Sequence, residues 1–157
     1  GPCGAMGEEL QLGEIVMAIA ACTDSNYAHQ YQLPGTFSAA ASYDLLKTAE
    51  EIAAERGLPH TVGTVLSSDL FYGEGETWRI WEKMGTLAVE MESFALYCNA
   101  ARAGVRALGI FSVSDNLVTR QELSAQQRQT GFTSMMEVAL ETACRISRQA
   151  ARETGSA

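Results

Sequence analysis

The chain has 157 residues, 46% of them hydrophobic, and 11 basic against 19 acidic side chains give it a net charge of -8. That length suits a single domain spanning 1–157 with an ordinary globular core, and the acidic balance repels phosphate backbones, which argues against nucleic-acid polymers as partners. No apolar run approaches the roughly 20 residues that span a bilayer and the N-terminus lacks a secretory signature, so a cytoplasmic address with no membrane partner is expected.

"GPCGAM", Gly1 to Met6, reads as the end of a strand running into a glycine turn, with no initiator methionine before it. The expectation is a chain that starts inside a fold, truncated or split. "GEIVMAIAACT", Gly13 to Thr23, is apolar and β-branched without alternation, as a strand buried on both faces requires. In "SYDLLKTAEEIAAERG" the residues Leu45, Leu46, Ala49, Ile52 and Ala53 recur at helical spacing and Gly57 supplies the stop.

"HTVGTVLSSD", His60 to Asp69, reads as the next strand, and "GETWRIWEKMG" as a short helix carrying Trp78, Trp81 and Met84. Then follow the strand "TLAVEM", the helix "ESFALYCNAARAG" ending at Gly104, and the β-rich "VRALGIFSVSD". From Gln121 onward Phe132, Met135, Met136, Val138, Ala139, Leu140, Ala143 and Ile146 predict one or two closing helices. Strands alternating with helices predict an α/β sheet covered on both faces, whose ligands gather at the carboxyl ends of its strands. Cys3, Cys22, Cys98 and Cys144 are widely spaced, without the paired knuckles of a zinc site, and are expected as reduced thiols.

Three strand ends carry polar chemistry. "ACTDSN" is an ordinary polar turn taken alone. In "SSDLFY", Phe71 or Tyr72 suits either the stacking wall of a base pocket or the core. In "VEMES" side chains of an extended segment alternate, so Glu90 and Glu92 share one face and Val89 and Met91 the other, unless residue 92 already opens a helix and its acid answers the helix dipole. Asp115, at the end of "LGIFSVS", is either a helix N-cap or a strand-end carboxylate suited to general acid work.

Taken together, "GPCGAM", "ACTDS", "SSDLFY", "AVEME" and "SVSDN" resemble, in order and spacing, the C-terminal two thirds of the hexameric, bacterial-type purine nucleoside phosphorylases. The resemblance implies a three-layer fold with a mixed sheet flanked by helices, whose N-terminal part lies outside this chain. It implies phosphorolysis of purine ribonucleosides or deoxyribonucleosides, with inorganic phosphate as co-substrate and no cofactor or metal.

Residue by residue, the resemblance makes Asp115 the acid that protonates the purine at N7, and Arg128 the cation that closes towards it, a residue whose spacing alone reads as a solvated helix arginine. Glu92 matches the acid that binds the ribose hydroxyls, Met91 the residue packed on the sugar, and Phe71 the aromatic wall. Cys3, Gly4, Val89, Glu90 and Ser114 fall at the nucleoside, and Gly1 and Pro2 at the phosphate. Pro2 stands where the family has a small hydroxyl residue, and it offers neither hydroxyl nor backbone donor. Most of the family's phosphate-binding glycine and arginines are expected upstream of Gly1, and a further arginine and histidine from a neighbouring subunit of the homo-oligomer.

Uridine phosphorylases resemble the chain in several turns, but they read the pyrimidine with a glutamine and an arginine where this chain has "GEGET", Gly73 to Thr77. Adenosylhomocysteine-type nucleosidases share the sugar-binding acid, and use a catalytic acid from an N-terminal segment not in this sequence. A third class is a catalytically silent chain that keeps only the nucleoside pocket or the oligomer interface.

Overall fold

In the computed structural model, which describes residues 1–70 and 75–154, the chain runs β1 (Pro2–Ala5), β2 (Ile15–Thr23), a 3-10 turn (Tyr27–Tyr31), β3 (Ala39–Ala40), α1 (Tyr43–Glu55), β4 (His60–Ser67), α2 (Trp78–Glu82), β5 (Ala88–Glu90), α3 (Ser93–Ala103), β6 (Gly109–Asn116), α4 (Ala125–Gly131) and α5 (Thr133–Thr154). Each strand and helix expected from the sequence is present, most with bounds a few residues shorter. The tail forms two helices. The two-residue β3 has no hydrophobic alternation to announce it.

The strands form one mixed sheet in the order β3-β2-β4-β5-β1-β6, and β2 also pairs with β6, so five strands close into a ring. One edge of β2 is shared: Ile15 to Ala18 pair antiparallel with Ser112 to Gly109, and Ala20 and Ala21 with Ala40 and Ala39. Tyr97 from α3 sits at this fork, only 2% exposed, where its hydroxyl donates to the Ala18 carbonyl and accepts from the Gly109 amide at 2.9 Å. A buried phenol needs such partners, because an unmet polar group there would cost about 1–3 kcal/mol.

Helices cover both faces. Val16 and Ala18 pack with Phe94, Tyr97 and Cys98 of α3, while the alternate residues Ile15 and Met17 pack with Leu46, Ala49 and Ile52 of α1 and with Met135 and Val138 of α5. β2 is therefore apolar at every position from Ile15 to Ala18, each no more than 1% exposed. Helix α1 ends because Gly57 adopts φ +64°, which side-chain-bearing residues avoid. In α5, Met136, Ala139, Leu140 and Ala143 face outward, and only Met135, Val138 and Ile146 of its expected apolar positions enter the core. The four cysteines are free thiols, with Cys3 and Cys98 buried. Among the described residues no helix is long and apolar enough to cross a membrane.

Candidate active site

β1 and β6 run against β2, β4 and β5, so the carboxyl ends of all the strands do not meet on one edge of the ring as an all-parallel sheet would arrange them. Because β1 and β5 are so short, cross-strand register brings the polar positions together instead. Gly4 pairs with Val89 on one side and Asp115 on the other, and Ser67 pairs with Glu90.

A bulge aims Asp115. Cys3 pairs with Val113 and Gly4 with Asp115, so Ser114 is the extra residue on β6. Such a bulge bends its strand and redirects the side chains that follow. The Ser114 hydroxyl lies 2.7 Å from Asp115 Oδ1 and 3.3 Å from the Cys3 carbonyl, leaving Oδ2 over Gly4. A Cβ at Gly4 would stand 3.0 Å from that Oδ2 and 3.4 Å from Val89 Cγ1. Gly4 is glycine because this carboxylate lies directly on its backbone.

Asp115 is not an N-cap: it belongs to β6 and forms a bridge with Glu122, and α4 is capped by Ser124 in a capping box with Gln127. The buried Asn116 ties this strand end down. Its Nδ2 donates to the carbonyls of Gly7 (2.8 Å) and Leu10 (3.2 Å), and its Oδ1 accepts from Val118 (2.9 Å) and Thr119 (3.0 Å). The chain then folds back, with Leu123 N donating to Ser114 O at 2.8 Å.

Glu90 and Glu92 do not share a face, because the strand ends at Glu90 and residue 92 is the N-cap of α3. Glu90 is 4% exposed, and its Oε2 accepts from Glu92 N (2.7 Å) and Ser93 N (2.8 Å) while Oε1 takes the Ser93 hydroxyl. Met91 and Glu92 are exposed on the turn that follows.

The Cys3 thiol is pushed up to about 12, first by burial and then by the charges of Asp115 and Glu90, so it stays neutral at ordinary pH. Gly1 and Pro2 are exposed at the start of β1, with Pro2 beside Ser112. Arg128 reaches Glu122 at 3.1 Å, with both side chains well exposed. Phe71 lies outside the described residues.

Sequence reading did not connect Asp24 with Ser68. Thr23 and Ser67 are the last paired residues of β2 and β4, and just beyond them Asp24 accepts from Ser68 Oγ (2.8 Å) and Asp69 N (3.0 Å). Only the β2–β4 register could have revealed it. Two cavities, of about 190 Å³ beside Tyr31, Phe37 and Arg102 and about 440 Å³ beside Arg56, Leu140 and Arg145, are lined by none of the residues assigned to the nucleoside.

Residues 1–152 match the family model described as the phosphorylase superfamily. The chain is similar to DeoD-type purine nucleoside phosphorylases: it is 46% identical over 147 residues to one from Clostridium beijerinckii and 43% over 146 residues to one from Geobacillus sp. strain WCH70, and each match covers 93% of this chain and 62% of the relative. A relative from Alkaliphilus metalliredigens is 45% identical over 145 residues, covering 91% of this chain and 62% of that protein. The chain thus spans 62% of the length of these relatives.

Proposed function

This chain belongs to the phosphorylase superfamily, and on that premise we propose that it carries the nucleoside-binding part of a purine nucleoside phosphorylase. Phosphate attacks the anomeric carbon of a purine ribonucleoside or deoxyribonucleoside as the glycosidic bond breaks. The bonding electrons pass to the purine, Asp115 gives a proton to its N7, and free base and pentose 1-phosphate leave. Protonation matters because the departing ring otherwise carries the developing charge alone.

The observation that carries this reading is the setting of Asp115: Oδ1 is engaged by Ser114 and Oδ2 lies over a glycine, beside Val89. Oδ2 is then the oxygen that meets the purine. Glu92, exposed at the start of α3, accepts the two ribose hydroxyls, a pairing that suits a carboxylate. Met91 packs on the sugar, Cys3 and Val89 border the purine, and Phe71 stacks on its face. Arg128 leaves Glu122 to close on Asp115.

Inorganic phosphate is the co-substrate, bound near Gly1 and Pro2 with cations from other parts of the fold and from a second copy of the chain in a homo-oligomer, a hexamer by family resemblance. Exposed Leu70 (65%), Ile80 (68%) and Met84 (82%) support burial against another chain. Such an enzyme acts in cytoplasmic purine salvage.

The test is hypoxanthine release from inosine with and without phosphate. Phosphate-dependent release that falls at least a hundredfold in Asp115→Asn, on the order expected for a lost general acid, with inosine still bound, supports the reading. Phosphate-independent release would instead mark a nucleosidase, and no release in either condition a silent nucleoside-binding chain.

A further inference from the structure

The carboxylate of Glu90 is buried, and three donors reach it: two amides and one hydroxyl, all from residues 92 and 93. The first amides of a helix lack partners within it, and a carboxylate placed there also meets the favourable end of the helix dipole. Glu90 thus fills the anion slot at the start of α3 with the chain's own acid. A second tie holds the same corner, since the Glu90 carbonyl accepts from Ser68 N at 2.8 Å. The acid is therefore held inward on both its backbone and its side chain, while Glu92 is exposed on the turn between, its Oε2 accepting from Met91 N at 3.3 Å.

We propose that Glu90 is a positioning residue for Glu92 rather than a ligand of the purine: by holding the amides of Glu92 and Ser93 it sets the turn from which Glu92 meets the ribose hydroxyls. The assignment rests on the nucleoside site proposed above. A turn held at both ends keeps the Glu92 carboxylate near one orientation, and a loose one would spend that order when the sugar binds. The charge of Glu90 is secondary. A glutamine in its place accepts both amides through its carbonyl oxygen, and its NH2 group donates to Ser93 Oγ, which turns from donor to acceptor.

Dissociation constants measured by calorimetry without phosphate test this, for inosine and for 2′,3′-dideoxyinosine, which lacks the hydroxyls that Glu92 would hold. Glu90→Ala is expected to weaken inosine roughly tenfold, in line with losing hydrogen bonds to a charged group, and to leave dideoxyinosine within about twofold. It should add little in a Glu92→Ala background, because the two residues act as one unit. Glu90→Gln should recover most of the loss. Equal weakening of both ligands, a full Glu90→Ala effect on top of Glu92→Ala, or a Glu90→Gln variant as weak as Glu90→Ala would overturn the assignment.

Should Glu90→Ala fail to fold, Ser93→Ala replaces it: a loss confined to inosine supports the positioning role, and no loss or an equal loss for both ligands overturns it. Because binding is read without phosphate, absent phosphorolysis with these binding effects intact would sink the enzymatic reading alone. No inosine binding by the unmodified chain would sink both.

Discussion

The carboxylate of Asp115 rests on the backbone of Gly4, so closely that a Cβ there would lie 3.0 Å from Oδ2. The contact joins β1 to β6 at the point where β6 bulges, and no side chain on β1 can be added without moving the acid or Val89.

Gly4→Ala is therefore expected to act on turnover more than on stability. The methyl group asks its neighbours to yield by a few tenths of an ångström, and Asp115 is the nearer. Since displacement of a reacting group by about 1 Å costs on the order of a hundredfold, a shift of this size should lower kcat for inosine roughly tenfold. Thermal unfolding should move by only a few degrees, about what a 1 kcal/mol change produces in a domain this size. A kcat equal to that of the parent chain would remove Gly4 from the placement of the acid.

Arg128 is held by Glu122 at 3.1 Å in an exposed pair. If Arg128 must leave it to reach Asp115, Glu122→Gln lowers the barrier to closure. Exposed pairs contribute about 0.2–1 kcal/mol, so kcat/KM should rise by no more than about fivefold and stability should barely change. Arg128→Ala should reduce kcat. Steady-state kinetics on the two variants decide it, and a drop in Glu122→Gln equal to that in Arg128→Ala would mean that the pair itself is the working form.

Asn116 satisfies both ends of its amide while buried, joining the Gly7–Leu10 loop to the turn at Val118 and Thr119. Asn116→Asp keeps the acceptor for the two amides but sets a carboxylate against the carbonyls of Gly7 and Leu10. Both Asn116→Asp and Asn116→Ala should lower the unfolding free energy by about 2–4 kcal/mol, the usual scale for buried partners left unmet, and the denaturant midpoint with it. Chemical denaturation reads it, and a midpoint unchanged in Asn116→Asp would show that water replaces the lost donors.

Alkaline pH should destabilise the fold through two buried groups. Cys3 rises from 9.0 to about 12 and Tyr97 from 10.0 to about 12, burial being the first cause in each case. Both are neutral when protonated, so their stabilising effect is complete below the unfolded values and fades as pH climbs from about 9 towards 12. Cys3→Ala should flatten the lower part of this decline and Tyr97→Phe the upper part, although Tyr97→Phe also lowers stability at neutral pH by leaving Gly109 N and Ala18 O without the phenol. Urea midpoints followed from pH 8 to 11 give the comparison, and parallel curves for all three proteins would contradict it.

Periodicity carried most of the architecture, because a strand buried on both faces and an amphipathic helix leave local patterns. The unbroken Ile15 to Ala18 run and the Leu46, Ala49, Ile52 spacing needed no distant partner to be read. Pairing left no such pattern. That β2 splits one edge between β6 and β3 depends on residues about ninety and twenty positions away, and the same holds for Asp24 meeting Ser68. α5 misled in the other direction: Met136 and Leu140 are apolar yet exposed, since helical spacing predicts a face and not what covers it.

The sequence by itself determined the family resemblance, the order of the strands and helices other than β3, and the acids at stake, since those rest on residue types and spacing along the chain. The tertiary structure decided where each acid stands. Alternation would have made Glu90 and Glu92 equivalent, but the end of β5 at Glu90 turns one carboxylate into the buried cap of α3 and leaves the other exposed. Capping preference would have allowed Asp115 to start a helix, but the bulge at Ser114 keeps it in β6, over Gly4. The first outcome turns on where β5 stops and the second on one extra residue in β6, and pairing between distant strands sets both.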